Sequence, residues 1–281
     1  ATSPTLLSQV GGGSYAVAYA PGTPNYLYLG VGPRLYIFTV NPDNLSNPNL
    51  VGISEPLPGI IQDIKVFGGR AYVTLGEGGL VIINVYIPAA LEIMGRIDTP
   101  GFARGLWVTT GYTAYVADGD NGLLIFNVLE PDAIVQVFRY DTPGSARNVF
   151  VLVNPDPAIG TRIYIADGPN GMVVLDGYYE LKKAWTTEGY AESVTVVDNF
   201  IYLALGEAGV QVWKLSPMNV LSYLATNNTP GYAQDIMLAG TYLYVADGTG
   251  GMRIFNKDVA LPNDLTEKGV YQSPGLASGL D

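Results

Sequence analysis

The 281-residue sequence contains no cysteine and no histidine. Without cysteine there is no disulfide, no thiol nucleophile and no thiolate metal site; without histidine the commonest general base and metal-ligating imidazole are missing as well. Charge is scarce. Asp, Glu, Lys and Arg make up 14% of the chain, against about 25% in ordinary soluble domains, so the surface has little charge with which to keep its neighbours at a distance. The charge present sums to −11 with no basic cluster, which argues against nucleic acid and anionic membrane surfaces as partners. No unbroken apolar run in the sequence approaches the length of about 18 residues that a membrane-spanning helix needs.

The chain begins Ala-Thr-Ser-Pro-Thr rather than with methionine, as a secreted protein does once its signal peptide is removed, and as a chain cut at a domain boundary also would. Asn44-Leu-Ser and Asn227-Asn-Thr fit the glycosylation sequon, although Pro230 follows the second directly. These features favour an extracellular or cell-surface setting.

What the sequence does have is repetition. Runs resembling YVADGDNGLLIFN begin at Tyr26, Tyr72, Tyr115, Tyr164, Tyr202 and Tyr244, with successive copies 38 to 49 residues apart. A period of that size is the signature of propellers and solenoids. Each copy reads as a β-hairpin: a tyrosine-led β-branched run, a Gly-bounded turn, and a second apolar run. Before each hairpin lies another strand candidate introduced by a Pro-Gly or Gly-Gly step, such as PGFARGLWV at Pro100; after it comes a connection and a fourth apolar run. One unit is therefore four antiparallel strands, a to d, and six units predict an all-β, six-bladed β-propeller of four-stranded antiparallel blades spanning residues 1–281.

The wording of the repeat, TPGxAxxVxV followed by AYVADGxxGLxIxNV, resembles the LVIVD-repeat family of β-propellers of bacterial and archaeal surface or secreted proteins. The resemblance covers nearly the whole chain and is weakest in the first unit, which has GGG for TPG and VGPR in its turn. It implies a fold and an extracellular setting, and brings no catalytic residues or cofactor with it.

Propeller geometry would gather the Pro-Gly steps and the DGxxG turns at one rim. Third after the Gly of each step stand Gln62, Arg104, Arg147, Glu192 and Gln234, a set of polar side chains expected to face the channel mouth and able to bind a small anionic or sugar-like ligand. Units with Arg104 and Arg147 carry Asp118 and Asp167 in the hairpin, whereas units with Gln62 and Glu192 carry Leu75 and Leu205. This matching predicts structural salt bridges within a blade, with Gln234 and Asp247 as a neutral variant. DGDNG also makes Asp118 and Asp120 a weak candidate for a calcium-type loop, but the distal bidentate carboxylate is lacking and the leucines argue against a repeated metal site.

Catalysis has little support. Glu192 is the one ring carboxylate, nothing selects an acid pair for glycoside hydrolysis, and the calcium or histidine set usual in six-bladed propeller hydrolases does not appear. The expectation is a non-enzymatic interaction or assembly module, with a small-ligand-binding propeller as the rival and a hydrolase behind it. The ends supply the basis: a d-like run at 5–10, with Leu6, Leu7 and Val10, is surplus to six blades, and the tail at 274–281 reads as the start of a further strand a. The surplus strand could lie on its own molecule, pair with the blade edge of a copy or of another surface protein, or mark a longer chain.

Overall fold

In the computed structural model, residues 14–22, 24–41, 44–154, 160–257, 265–273 and 275–280 are described. They form six separate four-stranded antiparallel sheets, each with its strands in sequence order. The first is β1 (Ser14–Ala20), β2 (Asn25–Val31), β3 (Arg34–Asn41) and β4 (Asn44–Ile53). The second is β5 (Asp63–Phe67), β6 (Arg70–Thr74), β7 (Leu80–Asn84) and β8 (Glu92–Ile97), and the third β9 (Leu106–Val108), β10 (Thr113–Ala117), β11 (Leu123–Asn127) and β12 (Val135–Tyr140). The fourth holds β13 (Asn148–Leu152), β14 (Arg162–Ala166), β15 (Met172–Asp176) and β16 (Leu181–Trp185); the fifth β17 (Ser193–Val197), β18 (Phe200–Ala204), β19 (Val210–Leu215) and β20 (Leu221–Asn227). The sixth is β21 (Asp235–Ala239), β22 (Tyr242–Ala246), β23 (Met252–Asn256) and β24 (Glu267–Tyr271). These are the blades of a six-bladed all-β propeller. Blades one to three belong to one compact unit and blades four to six to another.

The repeat residues explain the local geometry. The b and c strands of the middle blades are apolar on both faces and buried, as in TAYVA and LLIFN of the third blade. The turn between them needs left-handed backbone, which Gly119 and Gly122 supply at φ 61° and 74°. In the first blade Gly32-Pro33 makes a two-residue turn between Val31 and Arg34, so VGPR is a tighter hairpin than its sisters. Every c–d pair carries a register shift, for example between Ile125 and Phe126 or Val174 and Leu175, and the pair of the first blade carries two. Such a bulge adds twist to the outer strand.

Within each unit, apolar side chains of successive blades interdigitate. Ile37 and Leu35 meet Ile64 and Val81 between the first two blades; Tyr164 and Val174 meet Val194 and Leu203 between the fourth and fifth. Backbone stitches reinforce three of these junctions: Gly76 of one turn exchanges two hydrogen bonds with Ala103 of the next blade's Pro-Gly step, Gly168 does so with Ala191 and Gly206 with Ala233, and Gly248 makes the same pair with Ala277 of the 275–280 segment, all at 2.9 to 3.1 Å. Just before three of these alanines an aromatic ring lies on the turn glycine. A Cβ at Gly76, Gly168 or Gly206 would stand 2.6 to 2.9 Å from Phe102, Tyr190 or Tyr232 respectively, which is why only glycine fits. The 275–280 segment behaves as the start of a further strand a, since Leu280 N donates to Asp235 Oδ2 at 2.9 Å as Leu106 N does to Asp63 Oδ2 at 2.8 Å.

Candidate functional site

The turn aspartates are the most enclosed polar groups of the repeat. Asp118, Asp167 and Asp247 have no exposed surface. Asp118 Oδ2 accepts the Gly101 amide at 2.8 Å, Asp167 Oδ2 the Gly144 amide at 2.8 Å, and Asp247 Oδ2 the Gly231 amide at 3.0 Å. The approach is close: a Cβ on Gly101 would lie 2.2 Å from Asp118 O and 2.8 Å from its Oδ2. The threonine before each Pro-Gly completes the arrangement. Thr229 donates its hydroxyl to Asp247 Oδ1, and Thr99 and Thr142 stand against Asp118 and Asp167. Burial pushes the Asp118 and Asp167 carboxyls up, opposed by the threonine hydroxyl and the glycine amide in each case.

The expected partners of these aspartates were arginines of strand a, and the structure corrects this. Arg147 reaches Glu192 of the next blade, with Nε and Nη2 at 2.8 and 2.7 Å from the same Oε2. The other oxygen of Glu192 accepts the Tyr232 hydroxyl at 2.7 Å. Burial and this bond push the Tyr232 phenol well above its ordinary range. Arg104 lies over the Phe102 ring, 4.4 Å from its centroid, and Arg147 over Tyr190 at 5.4 Å. The physical reason is geometric: each turn aspartate is drawn inward to the backbone amide of its own Pro-Gly step, away from the strand-a arginine, and Arg147 reaches the neighbouring blade instead. Asp247 alone of the three takes a guanidinium, from Arg253 of strand c at 2.9 Å.

Of the remaining polar set, Gln62 spends its amide on Ile60 O at 3.1 Å, and Gln234 is half-buried with its backbone amide on Ala246 O at 2.8 Å. Arg147 and Glu192 are thus brought together, but as a pair that satisfies itself rather than as two open ligand groups. Arg147→Ala is expected to lower stability by about 2 kcal/mol, less than for a fully buried pair because 21% of the Arg147 side chain stays exposed; urea unfolding of the single variants and of Arg147→Ala with Glu192→Gln gives the coupling.

Asp118 cannot join Asp120 as a metal ligand: its carboxylate points inward to Gly101 while Asp120 is exposed. Among the described residues no group of three or more His, Cys, Asp or Glu could hold a metal ion. Asn227 donates its side-chain amide to Leu265 O at 3.0 Å, occupying the nitrogen a glycan would need. Asn44 opens β4, with its side chain outside the described ones, and Leu6, Leu7 and Val10 lie outside the described residues altogether.

The threonines were missed by sequence reasoning, though a signal existed. Where Leu75 replaces the aspartate, Leu57 replaces the threonine, and both are buried; where Leu205 does, Thr187 turns its hydroxyl to Gly189 O at 2.9 Å. Nor did the sequence single out a pocket of about 250 Å³ in the first unit, with Tyr19, Lys65, Phe67 and Trp107 among its lining. It lies along strands a, beyond Gln62 and Arg104, and is more aromatic than the polar set.

Four-stranded blades joined by turn-to-step stitches define a β-propeller. The LVIVD repeat model matches residues 58–99, 100–142, 158–176, 188–212 and 230–273, more than half of the chain, and the protein belongs to the LVIVD repeat family. Among solved structures the chain is similar to a candidate 6-phosphogluconolactonase from Bacteroides fragilis (14% identity, TM-score 0.75, covering 90% of this chain and 82% of that one). It is also similar to U3-55K (10%, TM-score 0.75, 97% and 85%) and to the computationally designed Ika8 protein (8%, TM-score 0.67, 92% and 75%). At these identities the likeness is one of fold. Among curated proteins no sequence matches the chain, and no helix among the described residues is long and apolar enough to cross a membrane.

Proposed function

We propose that the chain is a non-enzymatic, extracellular interaction module that assembles with copies of itself, or with another surface protein, by strand addition at the outer edges of its blades, as a subunit of a filament or surface layer. Membership of a propeller repeat family supports a binding role in general; the outer strands support this particular form of it. Each of β4, β8, β12, β16, β20 and β24 is the last strand of its sheet, and a sheet edge offers unpaired N–H and C=O groups to an incoming strand. Apolar side chains stand out on these strands, including Ile53, Ile93, Leu181 and Tyr223. β12 carries the observation furthest. Its Val135 and Val137 are 55% and 50% exposed, and its sequence VQVFRY has one charged residue and no proline, the guards that natural edges usually carry. Head-to-tail contacts between unlike surfaces build fibres rather than closed dimers.

Sedimentation over a wide concentration range tests the reading. The wild type is expected to associate as concentration rises, and Val135→Lys with Val137→Lys to remain monomeric at unchanged stability. A wild type that stays monomeric throughout sinks self-assembly.

The second reading, a propeller that binds a small sugar-like ligand, is favoured by the aromatic pocket. There Tyr19 and Trp107 line the pocket with aromatic side chains, and Lys65, 3.2 Å from Asp63, adds a polar group. Saturable quenching of tryptophan fluorescence by a monosaccharide, lost in Trp107→Leu, is the result it requires.

A further inference from the structure

The second unit contains one turn aspartate with a counter-charge and one without. Asp247 takes the Gly231 amide, the Thr229 hydroxyl and the Arg253 guanidinium, and Arg253 is tied in turn to Glu267. Asp167 is equally enclosed and takes the Gly144 amide, but the strand-c residue in the place of Arg253 is Val173, itself buried. Asp167 Oδ1 and Thr142 Oγ1 are both buried and neither has a hydrogen-bond partner among the described residues, while the threonine hydroxyl is the side-chain dipole that acts on the carboxyl.

No charged side chain of the surrounding elements acts on the Asp167 carboxyl: Arg162 stands at the far end of β14 opposite Asp176, and Lys183 of β16 stands opposite Val174. From β16, Lys182 pairs with Asp176 at 2.8 Å and with Glu180 at 3.1 Å. From the segment after the Pro-Gly step, Arg147 pairs with Glu192 at 2.7 Å. In the turn, Asn170 is uncharged and spends its amide on Pro143 O. Asp141, beside Thr142 in sequence, is exposed. A carboxylate enclosed in this way, with one neutral amide and one hydroxyl for company, is a poorly compensated buried charge.

We propose that Asp167 is a proton-binding site of the folded chain, neutral in mildly acid solution with its proton on Oδ1 against the Thr142 hydroxyl, and that its ionisation as pH rises loosens the clasp of the fourth blade. Protonation removes the uncompensated charge and leaves two hydroxyl groups able to bond each other, while Oδ2 keeps the Gly144 amide. Burial acts on this carboxyl in the same sense, raising its pKa.

The sign follows from linkage. A folded-state pKa above the unfolded one means that the folded chain holds the proton more tightly, so this stabilisation is complete below the unfolded value of about 3.9 and is lost as pH rises through the folded one. Asp176 acts oppositely. Against the pull of burial, the Lys182 ammonium and the amides of Glu180 and Tyr178 hold its carboxyl below the ordinary value, so its contribution is lost as pH falls. The comparison must therefore be between variants at each pH.

Urea unfolding of the wild type, Asp167→Asn and Val173→Arg across the acid-to-neutral range makes that comparison. The unfolding constant of the wild type relative to Asp167→Asn is expected to rise as pH rises, by up to about tenfold per pH unit between the two pKa values, and Val173→Arg to flatten the slope by restoring a counter-charge. Parallel curves for the wild type and Asp167→Asn overturn the proposal. If a variant fails to fold, carbon NMR titration of the Asp167 carboxyl in the wild type, assigned through its own backbone resonances, decides instead. A midpoint clearly above about 3.9 supports it; one at or below that value overturns it.

Discussion

Leu75→Asp is expected to lower the unfolding free energy by about 4 kcal/mol, seen as a fall in the urea midpoint at unchanged slope. Leu75 is 2% exposed in the core between the first two blades, so the substitution removes a packed side chain and puts a carboxylate in its place. The surrounding backbone is nevertheless prepared for it. A Cβ on Gly59 would lie 2.2 Å from Leu75 O, the same distance that separates a Gly101 Cβ from Asp118 O, so the amide that receives the aspartate elsewhere is already in position. What the second blade lacks is the hydroxyl, since Leu57 occupies the place of Thr99. Adding Leu57→Thr to Leu75→Asp is therefore expected to recover about 1–2 kcal/mol, a coupling within the usual range for residues in contact. A double variant no better than the sum of the two singles would show that threonine and aspartate are not one unit.

Gly95→Ala is expected to lower stability by about 3 kcal/mol, at the upper end for overpacking. The added Cβ would sit 1.6 Å from Pro131 O and 2.5 Å from Pro131 C, so it meets backbone rather than a side chain that could turn away. Pro131 begins a short 3-10 turn, Pro131–Ala133, in the c-to-d connection of the third blade, and its fixed φ leaves little room to yield. Gly111→Ala is the control. Its nearest neighbour would be Thr109 Oγ1 at 3.8 Å, and a change within about 0.5 kcal/mol is expected there. Thermal melts of the two variants side by side check the difference.

The blades were legible in the sequence because their determinants are local. A tyrosine-led apolar run, a turn with two glycines and a second apolar run state a hairpin wherever they occur, and six of them state the blade number. The bulge in every outer pair was not legible, since it depends on how strand d meets strand c and leaves no residue of its own in the repeat. Comparing units showed that Asp118 and Asp167 vary together with strand-a residues, but a one-dimensional comparison cannot say whether a carboxylate answers a side chain or a backbone amide. Glycine has no side chain to vary, so Gly101 and Gly144 were seen as turn residues only. Arg147 and Glu192, in neighbouring units, were entered as two members of a polar set, and only the meeting of the two blades makes them a pair. Thr99, Thr142 and Thr229 were present in every statement of the TPG motif, and the Leu57 and Leu75 exchange was the clue to their role.

The turn-to-step stitches have a kinetic consequence. Gly76 and Ala103, Gly168 and Ala191, Gly206 and Ala233, and Gly248 and Ala277 are 23 to 29 residues apart in sequence, so each junction closes a short loop, and the strand pairs within blades close shorter ones. Loop-closure entropy grows only slowly with length but must be met before non-local contacts form. At these four places the chain can meet it in small instalments, a finished turn receiving the segment that follows it. Within each compact unit folding can then run from one blade to its successor in the order in which the chain is synthesised.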